Sequence, residues 1–335
     1  MLPNAFVIGY KNHAFRIIKN VLKSKCFEKV FVYHPDKNRL SDISVLDDSI
    51  CPTDDFNMTS KCLCIFIASP THTHYEYLKK IYDSPKKTDS FPYVYCEKPI
   101  AANWDEINWL KTNESKLFPT LRVGFNFVYS DFSGAVSRYT KSKEIGLPTS
   151  ANFQSTHGLA FKPDMGKNWR FADDNIFSKL LGNLCIHYIH LSLHLFGAIV
   201  DSYSIESRAC EHENSDGSLV TLRHANGTLT SIFVSYATIY SKRFNVFFTD
   251  GMVEQSGNLL SVRLPRDVFD SEGEFCEPPQ IVLASENSNR DSTLTISVDR
   301  FINDSLEGKV FNQEDFRCAV EASEVVLKLN ENMKY

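Results

Sequence analysis

The sequence lacks several features that define specialised classes of protein. Basic residues are not in excess, because 36 lysines and arginines face 41 acidic residues and the formal net charge is −5. A surface for nucleic acid or for an anionic membrane needs clustered positive charge, so we expect neither partner. No apolar run approaches the length of a membrane span, and there is no Cys-x-x-Cys pair, internal repeat or low-complexity tract. These absences favour an ordinary soluble globular protein.

The cysteines and the first residues bear on the compartment. Nine cysteines are scattered along the chain, and Cys62 and Cys64 alternate with apolar residues in a predicted strand. This pattern is typical of reduced thiols rather than of a disulfide framework. The first residues lack the basic and apolar segments of a signal peptide. We therefore expect a cytoplasmic protein, and its 335 residues predict two domains.

The first half alternates apolar runs with helical patterns. Predicted strands cover residues 5–9, 29–33, 62–68, 93–96 and 121–125. Strands that alternate with helices at this spacing indicate a parallel, doubly wound α/β sheet of the Rossmann type. We assign residues 1–124 to this dinucleotide-binding domain.

The turn after the first strand has the frame of the dinucleotide fingerprint G-x-G-x-x-G/A. Gly9 and Ala14 occupy the first and third small positions, but Lys11 replaces the second glycine. Its bulk would hinder a close approach of the backbone to a pyrophosphate, although its charge could meet a phosphate. An ordinary strand-to-helix turn is the alternative interpretation. The candidate cofactor contacts here are Gly9, Tyr10, Lys11, Asn12 and His13.

The end of the second strand is where NAD enzymes usually hold the adenosine ribose with an acid. Here the acid, Asp36, is displaced by about two positions, and basic residues surround it. His34 and Lys37 are the candidate contacts, and NAD and NADP both remain open.

Two further strand ends carry polar residues. The crevice that binds ligands in an open α/β sheet lies at the carboxyl ends of the strands. Glu97 and Lys98 follow a buried strand there, just before a proline, and a surface Glu-Lys pair is the alternative. The candidate cofactor contacts at these two ends are Ser69, Pro70, Thr71, His74, Glu97 and Lys98.

The second half, residues 125–335, changes to strand-like runs separated by turns. The runs cover residues 202–207, 220–223, 228–236 and 245–248. They predict an α+β domain with a mostly antiparallel sheet, covered by helices on one face and open on the other. Residues 271–292 are polar and are expected to form a loop. A helix at about 314–330 can pack back on the first domain.

A helical stretch at 180–197 places three histidines on one face. His187, His190 and His194 are three and four residues apart. A metal site would use this spacing, but no acid or cysteine accompanies the histidines, and we expect no metal. Histidines satisfied inside a core and a histidine that transfers protons are the two other interpretations.

Several motifs occur together in the order of one known family. They are the Ser-Pro-x-x-x-His of 69–74, the Glu-Lys-Pro of 97–99, the Val-Gly-Phe of 123–125, the Trp-Arg of 169–170, the Asn-x-x-x-His of 183–187, Phe196-Gly197 and the tail from Phe301. Along essentially its whole length the chain resembles the glucose-fructose oxidoreductase / inositol dehydrogenase (Gfo/Idh/MocA) family. Residues 155–162 are similar to members found in surface-polysaccharide biosynthesis.

The resemblance implies NAD(P)-linked oxidation or reduction of a sugar carbon, with Lys98 and His187 as the catalytic pair. A neutral imidazole suits removal of the hydroxyl proton, and a lysine can polarise the same oxygen. Glu97 is expected to orient them, and Trp169 with Arg170 either lines the substrate side or packs structurally. The candidate substrate contacts are Lys98, Asn126, Trp169, Arg170, Asn183, His187 and His190.

Three departures from the family pattern leave a second function open. Lys11 replaces a glycine, Cys185 stands where a glycine is common, and His190 stands where an aspartate is usual. A non-catalytic sensor or binding subunit that keeps the fold is therefore the alternative to an enzyme.

The second sheet also leads us to expect that the protein forms oligomers. We expect Ile232, Val234 and Tyr236 on the open sheet face, where an exposed apolar patch would favour a homodimer or homotetramer.

Overall fold

The computed structural model describes residues 2–83, 91–162, 179–210, 215–264, 269–284 and 292–332. The chain folds into two compact units. One consists of Met1–Asn126 with Asp291–Glu324, and the other of Phe127–Arg290 with Val325–Tyr335. From the sequence we placed the boundary at 124/125 and assigned residues 125–335 to the second domain, with the helix at about 314–330 able to pack back on the first.

The first unit is built on a six-stranded parallel sheet in the order β3-β2-β1-β4-β5-β6. The strands are β1 (Ala5–Ile8), β2 (Val30–Tyr33), β3 (Ile50–Thr53), β4 (Cys64–Ile67), β5 (Tyr93–Cys96) and β6 (Leu121–Val123). This is the strand order of the dinucleotide-binding Rossmann fold, so the predicted fold class is confirmed. Strand β3 was not predicted from the sequence, because its Cys-Pro-Thr end lies in a polar stretch without an apolar run.

Helices surround this sheet. They are α1 (His13–Ser24), α2 (Leu40–Ser44), α3 (His74–Asp83), α4 (Trp104–Thr112), α5 (Glu114–Leu117) and, much later in the chain, α8 (Thr293–Leu306). Helix α8 joins this unit because Val298, Phe301 and Ile302 lie in one buried cluster with Val7 and Ile17. The last helix, α9 (Gln313–Glu331), belongs to the first unit as far as Glu324.

The second unit is built on an eight-stranded sheet in the order β14-β13-β12-β11-β7-β10-β9-β8. All neighbours are antiparallel except β7 and β10. The strands are β7 (Pro148–Thr156), β8 (Ile199–Ser207), β9 (Gly217–His224), β10 (Leu229–Ser235), β11 (Ser241–Phe248), β12 (Met252–Ser256), β13 (Leu259–Arg263) and β14 (Gln280–Ala284). The expected mostly antiparallel sheet is confirmed, whereas the loop expected at 271–292 is wrong where β14 forms.

Two helices cover one face of this sheet. Helix α6 (Asp131–Ser142) places Phe132 against Phe153 and Phe244, and α7 (Ile186–Phe196) places Tyr188 against the same two rings. A π-helical turn, Leu181–Cys185, leads directly into α7. Among the described residues, 3₁₀ segments occur at Lys37–Arg39, Phe56–Lys61, Thr71–Thr73, Asn126–Tyr129 and Leu159–Phe161. Among the described residues, no helix is both long and apolar enough to cross a membrane.

The open face of the sheet differs from the expectation. Ile232, Val234 and Tyr236 are buried, at 0%, 0% and 2% exposure, and so lie on the covered side. Leu229 and Phe233 project from the open face instead. Strand β10 carries apolar residues on both faces, so alternation alone could not indicate which set is covered.

Candidate active site

The turn between β1 and α1 has the geometry of a phosphate site. Gly9 has φ +104°, and a Cβ there would lie 2.7 Å from the Ala68 carbonyl oxygen, so the turn requires glycine. Asn12, at the N-cap of α1, has φ 43° and makes no side-chain cap. The first turn of α1 therefore keeps its end free of a capping side chain, as an anion-binding helix end does. These features fit the pyrophosphate of a dinucleotide.

Lys11 and Tyr10 occupy the outer side of this turn. The Lys11 side chain is exposed, with Nζ 5.6 Å from the centroid of the Tyr10 ring. The Tyr10 hydroxyl donates to Asp42 Oδ2 at 3.3 Å, and the Tyr10 and His34 rings are nearly perpendicular with 5.6 Å between centroids. Lys11 therefore keeps a positive charge at the turn in place of the usual glycine.

At the end of β2, the displaced acid serves as a local cap. Asp36 Oδ1 accepts from the Asn38 amide at 3.0 Å, and the Asp36 amide donates to His34 Nδ1 at 3.1 Å. Lys37 pairs with Asp54 at 3.3 Å and is exposed. His34 and Lys37 thus lie beside the strand end where the adenosine ribose is recognised in this fold.

His74 joins the segments that follow β4 and β5. The imidazole is buried at 2% exposure, and its two nitrogens lie 2.8 Å from the Ser69 carbonyl oxygen and 2.9 Å from that of Pro99. Two carbonyl acceptors favour the protonated ring, since both nitrogens then donate, whereas complete burial opposes the charge and lowers the pKa of His74. Ser69 Oγ bonds Thr73 Oγ1 at 2.6 Å, which closes the Ser69–His74 turn that also contains Pro70 and Thr71.

The carboxylate of Glu97 lies buried beside Lys98. Oε1 lies 2.9 Å from His13 Nε2 without the geometry of a hydrogen bond, and it has no hydrogen-bond partner among the described residues. A Cβ on Gly124 would lie 2.9 to 3.1 Å from the Glu97 carboxyl group, so glycine at 124 makes room for it. Lys98 is partly buried and is joined to Pro99 by a cis peptide bond.

In the second unit, Asn183 and His187 share one partly exposed side of the π-helical turn and α7. The residues beside them on this stretch, such as Cys185 and Ile186, are buried. Asn183 Nδ2 donates to the Tyr236 hydroxyl at 2.9 Å, and His187 stacks on Phe127 with 4.8 Å between centroids. Single π turns are frequent at functional sites, because the extra residue shifts the side chains that follow.

His190 and Asn126 have other surroundings within their own units. His190 is buried at 6% exposure, and burial, assisted by nearby His194, lowers its pKa to about 3. It is therefore a neutral imidazole inside the unit. Asn126 donates to Thr293 Oγ1 at 2.9 Å in the first unit. Trp169 and Arg170 lie outside the described residues.

Sequence reasoning missed several side chains around His187. Phe127 stacks on its ring, Tyr236 bonds Asn183, and His157 stacks on Tyr236 with 4.7 Å between centroids. Lys242 Nζ lies 5.3 Å from the centroid of Phe127. These contacts join segments that are far apart in the chain, so no local motif could have revealed them.

Comparison with known proteins defines the family. Residues 4–125 match the model described as oxidoreductase family, NAD-binding Rossmann fold, and residues 135–254 match the Gfo/Idh/MocA C-terminal domain. The chain therefore belongs to the Gfo/Idh/MocA family of oxidoreductases, and its first unit is an NAD-binding Rossmann domain. The resemblance of the sequence motifs to this family is confirmed.

Two curated relatives come from Bacillus subtilis (strain 168). The uncharacterized oxidoreductase YrbE is 25% identical over 195 residues, which are 56% of this chain and 53% of the relative. Glucose-6-phosphate 3-dehydrogenase is 26% identical over 147 residues, which are 43% of this chain and 39% of the relative. The matched region thus spans about half or less of the length of these relatives.

A solved structure with the same fold is levoglucosan dehydrogenase in complex with NADH and levoglucosan. The TM-score is 0.81 with 15% sequence identity, and the match covers 99% of this chain and 98% of that chain. At this identity the similarity establishes the fold alone.

Proposed function

We propose that this protein is an NAD(P)-dependent dehydrogenase or reductase that acts on a secondary alcohol or ketone carbon of a sugar. The observation that carries the proposal is the retention of Lys98 at the end of β5 and of His187 on α7 in a member of this oxidoreductase family. Levoglucosan dehydrogenase and glucose-6-phosphate 3-dehydrogenase, which this chain resembles, support a sugar as the substrate.

The first unit would hold the cofactor through the β1–α1 turn and the ends of β2, β4 and β5. Gly9 and the uncapped N-terminus of α1 suit the pyrophosphate, and the positive charge of Lys11 can supplement them. When bound, the nicotinamide accepts or supplies the hydride.

His187 takes the hydroxyl proton of an alcohol as its C–H bond breaks, and returns a proton in the reverse direction. The neutral form of an imidazole is available near physiological pH, which suits it to this transfer. Phe127 stacks on the ring and limits its rotation. Lys98 donates a hydrogen bond to the same oxygen and stabilises its developing negative charge. Glu97 orients this end of β5 through His13.

The substrate is proposed to be a sugar, amino sugar or nucleotide sugar, and the similarity of residues 155–162 favours a role in surface-polysaccharide biosynthesis. All nine cysteines are free, which supports a reducing compartment such as the cytoplasm.

The test measures cofactor binding and turnover separately. NADH and NADPH are titrated by fluorescence, and purified protein is then screened for cofactor oxidation with a panel of keto sugars. Lys98→Ala and His187→Ala should each lower kcat by about 10²- to 10⁴-fold, and the double variant should fall far less than the product of the two losses. His187→Ala should still bind the dinucleotide. Full activity of either single variant would contradict the assignment.

A non-catalytic sensor is the second candidate, and Lys11 in place of a fingerprint glycine favours it. Binding of both the dinucleotide and a sugar, with no turnover across the panel in either direction, would support this candidate over the enzyme.

A further inference from the structure

Lys242 breaks the pattern of its strand. In β11 the residues Phe244, Val246 and Phe248 are buried on the covered side of the sheet, and Lys242 lies two positions before Phe244. Side chains two residues apart in a strand share a face, so the lysine projects to the side that the helices cover. A charge at such a position is costly unless another group compensates for it.

Its neighbours in the second unit belong to the proposed substrate side. Lys242 Nζ lies over the Phe127 ring, 5.3 Å from the centroid, and the same ring stacks on His187. Opposite Lys242 in the β7–β11 ladder is Ser155, a buried residue. The ammonium is therefore one aromatic ring away from the proposed acid/base.

No negative charge balances this ammonium within the described part of the chain. Lys242 forms no hydrogen bond or ion pair with a carboxylate of the described residues, and burial lowers its pKa. The adjacent Arg243, by contrast, is exposed on the opposite face. A partly buried cation that has no counter-ion among the described residues is stabilised when an anion enters from outside.

We propose that Lys242 binds an anionic group of the substrate, a phosphate or a carboxylate, so that the protein selects an acidic sugar over its neutral counterpart. That the bound anion is part of a substrate rests on the proposed function. The binding of an anion by Lys242 does not depend on it. The anionic group would lie near Phe127, apart from the carbon whose oxygen meets His187, because Lys242 contacts the stacking partner of the imidazole rather than the imidazole. Lys242 then determines specificity and takes no part in the proton transfer.

The binding experiment needs neither cofactor nor turnover. Inorganic phosphate, acetate, D-glucose 6-phosphate, D-glucuronate and D-glucose are titrated by calorimetry at constant ionic strength. The variants are Lys242→Met, which keeps the length and removes the charge, Lys242→Arg, which keeps the charge, and Lys141→Met as a control on an exposed lysine of α6.

We expect the wild-type protein to bind at least one acidic sugar about tenfold or more tightly than D-glucose, as suits a charge-assisted contact. Lys242→Met should abolish this preference, while Lys242→Arg and Lys141→Met retain it. Tight binding of phosphate and D-glucose 6-phosphate identifies a phosphate site, and tight binding of acetate and D-glucuronate identifies a carboxylate site. Because the anion raises the lysine pKa again, binding at alkaline pH should take up protons in wild type and not in Lys242→Met.

Three results would overturn the proposal: no preference for any anionic probe, an unchanged preference in Lys242→Met, or weaker NADH binding in that variant with sugar binding unaltered. The last result would assign the anion contact to the cofactor. If anion selectivity depends on Lys242 but no sugar is oxidised or reduced, the proposed function fails and the anion site stands. If the protein is active but Lys242→Met keeps the wild-type ratio of kcat/KM between acidic and neutral sugars, the proposed function stands and the anion site fails.

Discussion

At the scale of single residues, His74 is a position in the first unit where substitution should be costly. The buried His74 ring lies within hydrogen-bond distance of the Ser69 and Pro99 carbonyl oxygens. Because burial lowers the pKa of His74, the ring is neutral near pH 7 and its single N–H donates to one of the two oxygens. His74→Ala would leave that acceptor without its donor, and we expect the free energy of unfolding in urea to fall by about 1 to 3 kcal/mol. His72→Ala is the matched control, since His72 is exposed in the same turn, and an equal loss in both variants would contradict the bridging role.

Glu206 gives a pH dependence to the second unit. Burial raises its pKa from 4.5 to about 7, with Lys179 opposing the shift, and its carboxylate contacts the Ser215 hydroxyl. A carboxyl whose pKa is raised by folding binds more protons in the folded state. Its contribution to stability is therefore fully present below the unfolded pKa and is lost as pH rises through the folded pKa.

We expect the free energy of unfolding to fall between about pH 4.5 and about pH 7, and this fall to be smaller in Glu206→Gln. Urea titrations across this range measure the effect. Glu144→Gln, at an exposed position, should follow the wild-type curve. If Glu206→Gln follows it too, Glu206 is not the group responsible.

Functional residues could be predicted from the sequence only where they belonged to a recognisable motif. Lys98 and His187 stood out through resemblance to a family, whereas Lys242 lies in Ser241-Lys242-Arg243, a polar run that is typical of an exposed turn. Its place on the covered face follows from the register of β11 against β7, and that register is set by residues far apart in the chain.

At the scale of elements, a local sequence signal lies where α4 begins. Asn103 and Glu106 have the spacing of a capping box. Asn103 Oδ1 accepts from the Glu106 amide at 3.0 Å, and Glu106 Oε2 accepts from the Ala102 amide at 2.6 Å. Such reciprocal bonds satisfy amides that a helix end leaves free.

Asn103→Ala should therefore destabilise the protein by about 1 kcal/mol in urea unfolding. Asn108→Ala, at an exposed position inside the same helix, should leave stability unchanged or slightly higher because alanine favours helix. Equal effects of the two substitutions would mean that the cap is not used in solution.

Strands without a distinctive local pattern were predicted less well. Strand β3 contains Pro52 and lacks an apolar run, and β14 lies in a segment whose composition is polar. Both are edge strands of their sheets, where burial is one-sided or low. Pairing with a neighbour, not composition, makes them strands.

At the scale of the whole molecule, one face of the second sheet is not covered by any helix among the described residues. Rows of side chains cross it, and one row runs through Ile205, Leu219 and Phe233, which the ladders place side by side. Tyr203 is 61% exposed, Ile205 54% and Phe233 38%. Monomeric proteins rarely expose contiguous apolar patches of this kind. We therefore propose a homodimer or homotetramer assembled through this face, although through other residues than the sequence suggested.

Replacing Ile205 and Phe233 together with lysine should convert the assembly to monomers, because each chain would bring like charges onto a face that meets its own copy in a two-fold contact. Light scattering after gel filtration at micromolar concentration measures the mass. Val45→Lys is the control, since Val45 is 82% exposed in the first unit and should not alter the mass. Cofactor binding should persist in the monomers, as Gly9 and the N-terminus of α1 belong to the other unit. A monomeric wild-type protein would contradict the proposed assembly, as would an oligomer that survives both lysines.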